Sequence, residues 1–224
     1  TAEAAKLTTS GEGSPVIYST GNIMVNNVNG IANNSEIGVV EGKNSITLTN
    51  SNVTGYKDNG FMLYQSFSGD AESGIARLKA ENNTLTTHAT GAFLYVNNTT
   101  AEVDLSNNAI SMPNTSTLVK VAADSRWGKT GENGGHLTLR TSNQELSGNI
   151  MADSISTIAL DMTNGSNLVG AVNTDNAAKE VTVKLSKDSN WILTGDSYVK
   201  SLSNEDTTGS NIQLNGYKLV VADK

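Results

Sequence analysis

The feature that most constrains this chain is a phrase that recurs along it: two or three alternating apolar residues, a polar turn rich in Asn and Ser, then one large apolar residue. Clear copies occupy residues 48–53, 78–85, 103–110, 139–146, 160–168 and 183–191, and fainter ones residues 23–31 and 212–219. The clear copies start 30, 25, 36, 21 and 23 residues apart, an irregular period in the range where each repeat is one short supersecondary unit. A propeller blade needs about 40–45 residues and four strands, and a leucine-rich repeat about 20–29 with a fixed Leu/Asn signature. Neither tolerates a period that wanders this far. A parallel β-helix does, because each coil is two or three short strands joined by turns, and a solvent-facing turn can lengthen at small entropic cost without disturbing the stack. The expected fold is all-β: a single right-handed parallel β-helix of about eight coils over residues 16–224, after a segment 1–15 that frays or caps the first coil.

Alternation sets the phase of the strands. Segments such as Ser45-Ile46-Thr47-Leu48-Thr49 send side chains alternately inward and outward. A second column, Gly60-Phe61-Met62-Leu63-Tyr64 and Gly91-Ala92-Phe93-Leu94-Tyr95, advances by 31 residues, and one further step reaches Thr117-Leu118-Val119-Lys120-Val121. With Leu63, Leu94 and Val119 inward, Met62, Tyr64, Phe93, Tyr95 and Leu118 face outward, and Tyr64 stacks on Tyr95 with Lys120 beyond.

Composition removes other classes. The chain holds 28 Asn, 25 Thr, 24 Ser and 21 Gly but only 2 Pro, a mix that competes with helix through side-chain hydrogen bonds and suits turns and pleated strands. The absence of Cys excludes a disulfide framework and thiolate chemistry. A net charge of −7 is a poor match for nucleic acid, which needs clustered Lys and Arg. No apolar run approaches the roughly 20 residues of a transmembrane helix. A cysteine-free, Asn/Thr/Ser/Gly-rich chain has the composition common among bacterial secreted and cell-surface proteins, and that is the localisation expected.

Candidates for chemistry are few. His88 and His136 stand without Cys or a nucleophile-elbow phrase, and each reads as a surface side chain. Asp104 and Asp161 occupy the polar positions of alternating strands, as outward solubilising residues. Zinc spacing is absent; calcium is the metal that oxygen donors in the loops would suit, with Asp70, Glu72 and Asp124 as ligands set against a reading in which they are merely solvated. The outward stripe is the better candidate: Met62, Tyr64, Phe93, Tyr95 and Lys120 would offer rings and a polar rim to a sugar, unless a neighbouring loop covers them. Trp127, in the longest insertion, is either that cover or a sugar-stacking ring.

The segments 165–173, 181–185 and 188–199 resemble the terminal coils of secreted right-handed β-helix proteins of gut bacteria and of autotransporter passengers. The resemblance covers about the last 70 residues and implies an adhesin-like or polysaccharide-binding protein, with fold implied far more strongly than ligand. The resulting expectation is a non-catalytic module binding polysaccharide, host glycan or a surface protein, without cofactor, as a monomer or part of a larger chain. A β-helix polysaccharide lyase or hydrolase and a structural stalk are the competing readings.

Overall fold

The computed structural model describes residues 1–222, and among them every secondary-structure element is a β-strand. Strands pair in parallel throughout, and each circuit of the chain lays one strand on each of three faces, except the circuit that begins at Thr157–Thr163, whose third face is reduced to the single bridge of Val172 to Ile150. The first face is one nine-stranded ladder that runs from Ala2–Glu3 to Ser201–Asn204. The second face is a five-stranded ladder from Lys6–Thr9 to Ala109–Ser111 and then a four-stranded one from Glu145–Ser147 to Ile212–Gln213. The third face begins with six strands, from Ile17–Ser19 to Ile150–Ala152, and ends with the pair Ser197–Val199 and Leu219–Val221. The solenoid has about ten turns rather than eight. Spacing misses the first coil because it carries small Ala2 where the next two carry Val25 and Leu48, and Ala4-Ala5 at the corner where later coils carry Asn-Ser or Asn-Asn. Nor is residue 15 a boundary. Lys6–Thr9 already pairs with Asn29–Ala32, so residues 1–15 supply strands of the stack itself.

The repeat phrase is the corner between the first and second faces. Asn27, Asn50, Asn82, Asn107, Asn143 and Asn164 end successive first-face strands with φ between 48 and 58°. That left-handed conformation turns the chain in one residue, and Asn tolerates it better than other residues with a side chain except Asp. This is where much of the Asn excess goes. The next residue points inward, and its side-chain oxygen takes a backbone N–H of the coil below. Ser51 accepts from Val28, Asn83 from Ser51, Asn108 from Asn83 and Gln144 from Asn108, at 2.9–3.1 Å. The amides also bond one another, Asn83 Nδ2 to Asn108 Oδ1 at 2.8 Å and Asn108 Nδ2 to Gln144 Oε1 at 3.0 Å. Gln stands where the second-face ladder is interrupted, and its longer arm reaches both Asn108 O and Glu145 O.

Apolar side chains of all three faces fill the interior from Ile17 and Val25 to Leu193 and Val199. On the first face the stacking steps from Leu78 to Val103, Leu139, Leu160 and Val183 are those of the sequence spacing. Below Leu78, however, lies Ile46 and not Leu48. A slip of two residues keeps every side chain on its expected side and changes only its neighbour. Outside, Lys79, Asp104, Arg140, Asp161 and Lys184 occupy one column with alternating charge, and Arg140 lies 3.5 Å from Asp104. Exposed pairs of this kind stabilise little. Like charges on neighbouring rungs would repel, so the alternation favours this register.

Candidate functional site

Outward residues of the third face would normally meet water, yet the strands Gly38–Glu41, Phe61–Tyr64 and Ala92–Asn97 are buried on both sides. Outside the solenoid wall, Val39, Met62, Tyr64, Ala92, Tyr95 and Ala122 form a second apolar cluster, with Trp127 packed against it. Trp127 lies 5.3 Å from the Tyr64 ring and 6.2 Å from Phe67, so it is the cover of the stripe. Tyr64 and Tyr95 are accordingly only 8% and 6% exposed and offer no open face to a sugar.

The register also separates these rings. Tyr95 stacks on Met62, and Tyr64 has Asn97 above it; the column through Tyr95 does continue to Lys120, as the spacing indicated, and then to Met151. Phe93 and Leu118, expected outside, are core residues, each 1% exposed. The cause is the corner into the third face. There Leu118 and Val119 donate to the single carbonyl of Asn149, as Ile37 and Gly38 do to that of Gly60. Two consecutive side chains then point inward, which strict alternation forbids. Phe93 meets Phe61 edge-on at 5.7 Å, and Gly60 lies so close that a Cβ would come within 2.5 Å of the Phe93 carbonyl.

Glu41 organises the cover. Its carboxylate, almost wholly buried, accepts from the hydroxyls of Tyr18, Ser66, Ser68 and Tyr64. Tyr18 also lies 2.9 Å from the Tyr64 hydroxyl. Burial pushes the Glu41 carboxyl up, but the hydroxyls, led by Ser66 and Tyr18, outweigh it and hold it below the usual carboxylate range. Loop residues 66–68 are thereby pinned to the solenoid wall. A carboxyl depressed by folding stabilises above its unfolded pKa of about 4.3 and loses that contribution as pH falls through its folded value. The stability gap between the native protein and Glu41→Gln should therefore shrink between neutral pH and strong acid, measured by chemical unfolding. An unchanged gap would mean that the ionised carboxylate is not what holds the loop.

Beside the cover the third face opens. A cleft of about 510 Å³ is lined by Asn59, Thr90, Tyr95, Thr117, Lys120, Asp124 and Arg126. Another of about 520 Å³ shares Thr117 and Lys120 with it and extends to Met151, Asp153 and Asp175. Lys120 lies over the Tyr95 ring at 5.3 Å. Asp124 takes the N–H groups of Arg126 and Trp127 at 2.7 and 3.2 Å and the Tyr95 hydroxyl at 3.4 Å. Burial, then the Asp124 charge, pushes the Tyr95 phenol up to about 12. Asp153 takes the N–H of Ala123 at 2.7 Å. Both carboxylates thus act as loop caps.

The residues suggested for calcium are not assembled. Asp70 and Glu72 lie on an exposed loop, with Glu72 paired to Lys43 at 3.3 Å, while Asp124 is engaged as above. No group of three or more acidic, His or Cys side chains could hold a metal among the described residues. His88 stacks on Tyr56 at 4.4 Å, an exposed corner pair. Sequence reasoning missed Tyr18, Glu41, Phe67 and Asp153. A charged Glu41 ending the apolar run Gly38-Val39-Val40 was the one available signal.

Fold and site define a class: a three-faced parallel β-solenoid with a loop-covered aromatic patch and an open polar trough on the outside of one face. No family model matches the chain, and no curated protein or solved structure matches it.

Proposed function

We propose that this protein is a secreted or cell-surface glycan-binding module that holds its ligand, without turnover, in the trough over the third face. One observation carries the reading: Phe67, 68% exposed, rests on Trp127, which directly follows Arg126 in the wall of a trough that presents hydroxyl, amide and charged side chains. A flat apolar ring with polar groups beside it is the combination that grips a pyranose, which has an apolar face and a rim of hydroxyls. The capping duties of Asp124 and Asp153 favour holding over cleavage, since general acid and base both need free carboxyl groups.

A glycan array combined with a reducing-sugar and unsaturated-product assay tests this. Binding without product is the expected result, and Phe67→Ala should weaken that binding about tenfold, the loss of one stacking contact, with an unchanged melting temperature. Product formation would replace the reading with a polysaccharide-cleaving enzyme. Silence in both assays would leave the stalk.

A further inference from the structure

The geometry points to an anionic saccharide, one that carries a carboxylate on its ring, as the ligand of the trough, with Lys120 as its counter-ion. This rests on the glycan-binding reading above and adds the charge of the sugar.

Lys120 ends the buried part of its column. Below it, Val39, Met62 and Tyr95 are buried beneath the loops; at Lys120 the cover stops and the side chain is exposed. It belongs to both clefts, so a chain of sugar rings lying along the trough passes it midway. Its ammonium, over the Tyr95 ring, forms no ion pair among the described residues.

The acidic side chains of the walls are each already engaged. Asp124 binds two backbone N–H groups and the Tyr95 hydroxyl, and the Arg126 guanidinium lies 3.6 Å away. Asp153 takes N–H groups of Ala123 and Ile155 at 2.7 and 3.2 Å, and Asp175 takes that of Ala177 at 3.4 Å. Among the described residues, Lys120 is the cation of the trough that has no carboxylate partner, since Arg126 has Asp124. An ammonium has three donors and no acceptor, so its natural complement is a ligand oxygen bearing charge. Asp124, Asp153 and Asp175 oppose an anion locally, Asp124 being offset by Arg126; the rest of the net charge of −7 adds little, because charges beyond about 8 Å are largely screened at physiological ionic strength.

The test uses alginate, polygalacturonate and hyaluronan, each beside its carboxyl-reduced, neutral form, with the intact protein in titration calorimetry. At least one acidic polymer should bind and its reduced form should not. Lys120→Met should weaken that binding about tenfold, the loss of one charge-assisted hydrogen bond, whereas Lys120→Arg should retain most of it. Both variants should melt with the native protein, since the side chain is exposed. Equal binding of acidic and reduced forms, or binding of neutral array glycans alone, would overturn the anionic assignment and leave glycan binding standing. Silence of all polymers and of the array would remove both.

Discussion

Replacing Asn108 with leucine is expected to cost on the order of 4 kcal/mol, although the two side chains are similar in shape. Asn108 is 6% exposed, and its amide joins three coils. Its oxygen receives the backbone N–H and the side-chain amide of Asn83, and its nitrogen donates to Ala80 O and to Gln144 Oε1. Leucine leaves the Asn83 N–H without that acceptor, at about 1–3 kcal/mol, and removes one bond each from Asn83 Nδ2, Gln144 Oε1 and Ala80 O, at about 1 kcal/mol apiece, although Asn83 Nδ2 keeps Leu48 O and Gln144 Oε1 keeps the residue-108 N–H. The side chain of Asn107, its neighbour, bonds only to the amides of Asn82 and Asn143 on the outer surface. Asn107→Gly keeps the left-handed turn available and should cost less than about 1 kcal/mol. Guanidinium unfolding of the two variants beside the native chain checks both values. If Asn108→Leu were as mild as Asn107→Gly, the interior amide ladder would not be what ties the coils together.

Trp191→Ala should be comparably damaging, at about 5 kcal/mol. Trp191 is 0% exposed and the largest side chain that is fully buried. Truncating a buried Trp leaves a cavity worth about 3–5 kcal/mol. Its indole also donates to Gly170 O at 2.9 Å, an acceptor that the alanine would leave without that donor. Collapse around the cavity is restricted, because the backbone at Gly170 lies so near the coil below that a Cβ would come within 2.0 Å of Gly148 O. Trp191→Phe, which keeps most of the volume and loses the N–H, should fall near 2 kcal/mol. A loss below about 2 kcal/mol for the alanine variant would show that the terminal coils repack freely.

Both residues are legible in the sequence because each repeats a chemical requirement at each turn of the chain. Trp191 stands where the other copies have Val53, Leu85, Ile110, Leu146 and Leu168, and all but Ile110 are fully buried. Asn pairs such as Asn82-Asn83 and Asn107-Asn108 recur at the corner because one residue must turn left-handed and the next must satisfy the coil below. The stacking steps above Leu78 could be read from spacing for the same reason: a parallel ladder places equivalent residues of consecutive coils side by side.

The proposed site was legible only in part. The spacing led correctly to Lys120 above Tyr95 and to Trp127 in the longest insertion. It paired Tyr64 with Tyr95 because the insertion 66–74, between the third-face strand Phe61–Tyr64 and the first-face strand Ile75–Glu81, hides a two-residue difference in step; in the structure Tyr64 lies under Asn97. Leu118 was assigned outward because alternation knows nothing of a corner where two N–H groups share one carbonyl, and Phe93, at the same corner one coil earlier, is likewise buried.

From its residues alone, then, this chain declares a stack of parallel coils, with the interior column and the turn chemistry, because neighbours in a ladder interact at short, repeating separations that spacing preserves. What covers the third face is another matter. Whether Tyr64 is a binding ring or a buried one depends on residues 66–68 hydrogen-bonding to Glu41 and on Trp127 folding back from a later coil. Those contacts join segments with no common period, and only the folded chain brings them together.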